Sequence, residues 1–171
     1  GLPVTATMTF DTAGRSMMGI PPADYAQFAV QHGLNGYGAN CGIGPAELME
    51  AVLGIKKNNA PFLIAKGNCG IPSYQDGAIH YHGTPELMAE YAVLARDAGV
   101  KIIGGCCGTS PEHVAAMHKA LAERPPEGDV DMARLIAVLG KPWKDLPTSP
   151  HESGTSDGAS GRRQRRRPTR R

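Results

Sequence analysis

Ile102-Ile103-Gly104-Gly105-Cys106-Cys107-Gly108-Thr109-Ser110-Pro111-Glu112-His113 is an apolar run that ends in glycines and two adjacent thiols, immediately before a helix start. Neighbouring side chains on a strand face opposite ways, so two thiols that act together require the backbone to curl. Gly104, Gly105 and Gly108 are expected to permit that curl. Metal binding is the chemistry such a pair suggests.

The same layout occurs 66 residues earlier, in Gly33-Leu34-Asn35-Gly36-Tyr37-Gly38-Ala39-Asn40-Cys41-Gly42-Ile43-Gly44-Pro45. Aligned on the cysteines, Gly33 matches Gly99, Gly38 matches Gly104, Cys41 matches Cys107, Gly42 matches Gly108 and Pro45 matches Pro111. A weaker copy, Ala65-Lys66-Gly67-Asn68-Cys69-Gly70, falls between them. The repeating unit is a strand, a thiol, a glycine and a helix, which predicts stacked βα units.

Reading outward, Val4 to Phe10 is β-prone and ends in the turn-forming Asp11-Thr12-Ala13-Gly14. Pro21-Pro22 opens a helix that Gly33 closes. Leu34–Cys41 is expected as the second strand, Pro45–Lys57 as its helix and Pro61–Ala65 as the third strand. Gly67 to Gly83, with Asp76, His80, Tyr81 and His82, reads as a long loop of the kind that often lines a site. Thr84-Pro85-Glu86 combines a capping hydroxyl, a proline at the first helical position and an acid in the first turn. Val100–Gly105 is the fourth strand, Ser110-Pro111-Glu112 starts the fourth helix, and a short helix over Val130–Leu139 is expected outside.

Successive βα units demand parallel strands covered on both faces, as in a doubly wound sheet or a closed barrel. The cysteines mark the C-terminal ends of their strands, where a (βα)8 barrel assembles its active site. A complete barrel takes about 250 residues. The fold class expected is therefore α/β, with parallel βα units forming the C-terminal half of a (βα)8 TIM barrel over residues 1–147. Half a barrel leaves strand edges open, which predicts a homo-oligomer or a separate N-terminal half-barrel as partner.

The 171 residues suffice for one core, at 41% hydrophobic content. No segment approaches the ~20 apolar residues of a membrane span, and no basic-then-apolar leader pattern is visible, so a cytoplasmic location is expected. Seven of the 18 basic residues are arginines within 162–171, leaving 11 basic against 16 acidic residues before them. The body is thus mildly acidic, which argues against a nucleic-acid partner. Residues 148–171 are Ser-, Gly-, Pro- and Arg-rich and are expected to form a disordered tail.

Four cysteines are too few for a disulfide scaffold and suit reduced thiols serving a site. Cys41, Cys106 and Cys107, brought to one barrel mouth, would offer three sulfurs to Zn²⁺, leaving the open fourth position of a catalytic site. Spacing alone leaves two other readings open: small buried hydrophobes at strand ends, or a strained vicinal disulfide between Cys106 and Cys107.

Gly38-Ala39-Asn40-Cys41 together with Ile102 to Thr109 closely resembles the zinc-dependent homocysteine S-methyltransferase family, from about Leu2 to Leu121. The resemblance implies a (βα)8 barrel, a zinc ion on Cys41, Cys106 and Cys107, and methyl transfer to homocysteine giving methionine. Thr7 to Phe10 and Met17-Met18-Gly19 look most like the betaine-dependent members, implying betaine as donor. S-methylmethionine, or methyltetrahydrofolate through cobalamin, are the alternatives, as is a catalytically incomplete zinc- or thiol-binding fragment. Activity of the isolated chain is expected to be lacking.

Asn40 and Asn68 are candidate substrate contacts, and the helix N-termini after Gly42 and Gly108 are candidate holders of a carboxylate. Cys69 is expected as a packed thiol beside the site, and His113 and His118 as surface positions beyond the first turn of their helix.

Overall fold

A computed structural model describes residues 1–58, 60–75 and 77–143. The tail expected at 148–171 and the last residues of the 1–147 unit lie outside the described residues, as does Asp76.

The chain alternates strand and helix. Strand β1 (Thr5–Met8) precedes helix α1 (Pro22–Gln31), β2 (Gly36–Cys41) precedes α2 (Pro45–Lys56), and β3 (Leu63–Gly67) leads through β4 (Pro72–Gln75) and β5 (Ala78–Tyr81) into α3 (Pro85–Asp97). Strand β6 (Ile102–Gly105), α4 (Pro111–Glu123) and α5 (Met132–Leu139) follow. Prolines open α1, α2, α3 and α4, where the missing N–H has no intrahelical partner to lose. The Thr84 side chain caps α3 by accepting from Leu87 N–H at 3.2 Å, and Asp131 caps α5 by accepting from Arg134 N–H at 2.8 Å.

The main sheet is parallel in the order β1-β2-β3-β6. That order runs in one direction without reversing, so right-handed crossovers bring the helices to the same side. A doubly wound sheet reverses its strand order instead, and this one has no such switch point among the described residues. Tyr37, Ala39, Leu63 and Ala65 alternate onto the helix-covered face and are buried in one core with Met49, Val52, Ile55, Met88, Tyr91 and Leu94. Gly36, Gly38, Ile64, Lys66, Ile102 and Gly104 alternate onto the opposite face, where Ile64 is buried and Ile102, on the edge strand, is 46% exposed.

The stretch Gly67 to Gly83 is not the unstructured loop expected. Strands β4 and β5 pair antiparallel, with Gln75 opposite Ala78 and Pro72 opposite Tyr81, and form a hairpin between β3 and α3. Asp97, its carboxylate fully buried at the end of α3, binds Arg134 of α5 at 2.6 Å and Arg96 at 2.9 Å, which fastens α5 to the α3 layer. No helix among the described residues is long and apolar enough to cross a membrane.

Candidate metal centre

Cys41 is the last residue of β2, and Cys106 and Cys107 directly follow β6. Strand β3 lies between them, with Gly67 opposite both Cys41 and Gly105. Beyond the ladder, Cys106 N–H donates to Gly67 O at 2.7 Å and Cys69 N–H to Cys107 O at 3.1 Å. The end of β3 is therefore the template on which the two thiol-bearing segments are aligned.

The curl needed to bring the thiols together arises at Gly108, as expected, but not at Gly104 or Gly105. Gly104 and Gly105 stay in β6, and the bend is a turn closed by Thr109 N–H to Cys106 O at 3.2 Å, with Gly108 at φ +75°. Gly105 serves packing instead, since a Cβ there would lie 2.3 Å from Thr109 Cγ2. On the other strand, Cys41 itself adopts φ +59°, a left-handed backbone that costs a non-glycine residue about 1 kcal/mol. Strain held at a residue with a reactive side chain is a mark of a functional position.

The three sulfurs converge. Cys41 Sγ lies 3.6 Å from Cys107 Sγ, which lies 3.9 Å from Cys106 Sγ, and all three fall within 4.8 Å of one another. Cys41 and Cys106 are partly buried, while Cys107 is exposed. Burial, and then the neighbouring Cys41 and Cys107 thiols, push Cys106 up to about 11. Cys106, half-buried and crowded by two further thiols, thus resists ionisation on its own, and a cation among the sulfurs reverses that preference. Around a tetrahedral ion with a metal–sulfur bond of about 2.3 Å, sulfurs sit about 3.8 Å apart. The observed separations bracket that spacing, so the donor set fits zinc in both chemistry and size.

Asn68 follows β3 and is 4% exposed. Its Nδ2 donates to Gly42 O at 2.8 Å and Gly70 O at 3.2 Å, which fixes the orientation of the amide and leaves Oδ1 a buried acceptor with no partner among the described residues. Asn40, near the end of β2, is turned toward the neighbouring strand: its Nδ2 lies 3.5 Å from Thr9 Oγ1. The N-terminus of α4 is filled by its own residues, with Ser110 N–H donating to His113 Nδ1 and Glu112 held by Ser110 Oγ. That of α2 has no capping side chain.

His113 is corrected from a surface position. It is the third residue of α4, partly buried, with Nε2 3.1 Å from Gly83 O and 3.2 Å from Cys69 Sγ. Its place in Ser110-Pro111-Glu112-His113 is the capping-box spacing, which was the available signal. His118 is exposed, as are His80 and His82. Cys69 is fully buried and is not one of the converging sulfurs.

Tyr81, named in the sequence only as one residue of a long loop, stands at the end of β5. Its ring packs onto Gly108, where a Cβ would lie 2.3 Å from Tyr81 Cγ. Burial and then the surrounding Cys107, Cys41, Cys106 and Cys69 raise its phenol above the ordinary value. The hairpin thus folds an aromatic ring down beside the thiols.

Residues 1–121 match the family described as homocysteine S-methyltransferase. The methionine synthase of Mycobacterium tuberculosis (strain ATCC 25618 / H37Rv) is 29% identical over 140 residues, which cover 81% of this chain and 12% of that protein. The methionine synthase of Mycobacterium leprae (strain TN) is 29% identical over 122 residues, 71% of this chain and 10% of that protein. The chain spans about a tenth of the length of these curated relatives.

Proposed function

Because the chain belongs to the homocysteine S-methyltransferase family, we propose that it is part of a (βα)8 barrel whose mouth holds Zn²⁺ on Cys41, Cys106 and Cys107 and serves methyl transfer to homocysteine, giving methionine. The observation that carries this reading is the sulfur triangle, with separations of 3.6 and 3.9 Å. One-way strand order favours a barrel over a doubly wound sheet. The relatives' name, methionine synthase, agrees with methionine as product.

Cys41, Cys106 and Cys107 would hold the zinc, which would supply the positive charge that keeps a substrate thiol deprotonated at neutral pH. The chain's own residues then select and orient the substrate. The buried, unpartnered Oδ1 of Asn68 is suited to accept an N–H from the ammonium group of an amino acid. Asn40, beside Cys41, is the second polar side chain proposed for substrate contact. In the transfer, the new carbon–sulfur bond forms as the methyl group's bond to the donor breaks in line. The bonding pair departs with the donor, and the thiol proton has already been lost.

Betaine is the donor proposed, because the segments around Phe10 and Met17 resemble betaine-dependent members. The Tyr81 ring beside the thiols adds the residue type that attracts a quaternary ammonium. A panel of betaine, S-methylmethionine and methyltetrahydrofolate with cobalamin, given to the full chain, separates the donors. The metal reading is tested by zinc content: Cys41→Ser, Cys106→Ser and Cys107→Ser each lose the ion, while Cys69→Ser keeps it. Retention at the parent level in any of the first three overturns the ligand set.

A further inference from the structure

Cys69 and His113 lie outside the sulfur triangle, yet the two meet directly behind the turn that carries two of its members. Cys69 is fully buried, with Sγ 3.1 Å from Gly83 O and 3.2 Å from His113 Nε2. Ser110 N–H donates to His113 Nδ1 at 3.1 Å, so Nδ1 carries a lone pair and the neutral ring carries its proton on Nε2. That proton points at Gly83 O, 3.1 Å away. One carbonyl at the exit of the hairpin therefore receives both the thiol of Cys69 and the imidazole of His113.

The backbone completes the knot. Gly83 N–H donates to Cys69 O at 2.8 Å, and Cys69 N–H donates to Cys107 O at 3.1 Å. No side chain fits at position 83, where a Cβ would lie 2.5 Å from Cys69 O and 2.8 Å from Cys69 Sγ. The carbonyl of Cys107 is thus tied, through one residue, to the hairpin and to the first turn of α4. Each residue type suits its place. A thiol is a small donor that tolerates dense packing, and an imidazole is a rigid ring that accepts on one side and donates on the other.

We propose that Cys69 and His113 are positioning residues for the metal centre: through Gly83 they hold the Cys106-Cys107 turn in register, so that Cys107 Sγ stays opposite Cys41 Sγ. The inference rests on the zinc reading given above and deepens it by naming what holds the ligands in place. Such supporting contacts are worth about 10- to 100-fold in metal affinity where they have been removed from other metal sites.

The test is a cobalt(II) titration of the full chain, competed against a chelator and followed by the thiolate-to-metal absorption bands, beside Cys69→Ala, His113→Ala, Cys69→Ser and His113→Gln. The two alanine variants are expected to bind about tenfold more weakly or worse, with shifted bands. Cys69→Ser and His113→Gln keep a donor for Gly83 O and are expected to recover much of the loss, which a general loss of packing would not produce. Should either alanine variant fail to fold, judged by the melting of the metal-free protein, Cys69→Val or His113→Leu, which fill the space without a donor, is read in its place: weaker binding with shifted bands supports the proposal, and parent affinity with parent bands overturns it. Parent affinity and an unchanged spectrum in Cys69→Ala and His113→Ala overturn it. So does a parent spectrum of four sulfurs that falls to three in Cys69→Ser, which would make Cys69 a ligand. A parent chain that takes up no cobalt overturns the zinc reading itself, a result distinct from either.

Discussion

Cys41 Sγ and Cys107 Sγ lie 3.6 Å apart although 66 residues separate them in the chain. They meet over the end of β3, whose Gly67 and Cys69 anchor the opposing segments by backbone hydrogen bonds. The contact is thus a product of the parallel ladder, and perturbing the ladder's end is expected to disturb the thiols before it unfolds the chain.

Gly108→Ala places a methyl group 2.3 Å from Tyr81 Cγ at a backbone φ of +75°. The left-handed backbone costs about 1 kcal/mol and the overlap at least about 1 more, so urea unfolding is expected to show a loss of about 2 kcal/mol or more. Adding Tyr81→Ala to Gly108→Ala relieves the overlap and leaves the backbone cost. A Gly108→Ala protein as stable as the parent contradicts the seating of the ring.

Tyr91 is fully buried, and its hydroxyl accepts from Gly67 N–H at 3.1 Å and donates to Gly104 O at 3.3 Å, bridging the strands beneath the thiols. Tyr91→Phe strands both backbone groups and is expected to cost about 1–3 kcal/mol. Burial raises the phenol far above its ordinary value. An unfolded tyrosine ionises near 10 whereas the buried one stays neutral, so this contribution is whole below about pH 10 and declines as pH rises past it. Stability measured from pH 8 to 11 is expected to fall less steeply in Tyr91→Phe than in the parent.

Burial pushes the Asp97 carboxyl up, but hydrogen bonds from Arg134, Arg96 and the Glu127 N–H outweigh it and hold the group below the ordinary carboxylate value. Its stabilisation is therefore present above about pH 4 and is lost as pH falls through the lowered value. Asp97→Asn is expected to cost about 1–3 kcal/mol at pH 7, and the difference from the parent shrinks in acid. Hydrogen exchange in α5 reports whether that helix loosens first. Unchanged exchange there would show that Asp97 does not fasten it.

The positions of the thiols were legible because their punctuation is local: glycine before and after, and a proline four residues on from Cys41 and from Cys107. The βα alternation followed from the same punctuation and from proline at each helix start. What escaped depends on contacts across the fold. Asp76-Gly77 is a hairpin-turn dipeptide, but the flanking Ser73-Tyr74-Gln75 and His80-Tyr81-His82 alternate too weakly to mark strands. Tyr81 matters because the hairpin folds it onto Gly108, and no spacing rule encodes that contact. A curl was expected only at the Cys106-Cys107 pair, yet Cys41 also bends its own backbone, a cost repaid only by its surroundings. Asn68 was legible as a polar residue beside a thiol, but its unpartnered Oδ1 was not.

The most direct test of the central claim is zinc-edge X-ray absorption of the metal-loaded chain, recorded before and after homocysteine is added. Three sulfurs from Cys41, Cys106 and Cys107, with a lighter atom in the fourth position, are expected at first, and four sulfurs after addition. Two or fewer sulfurs in the parent, four before any homocysteine is present, or a shell that homocysteine leaves unchanged would contradict it.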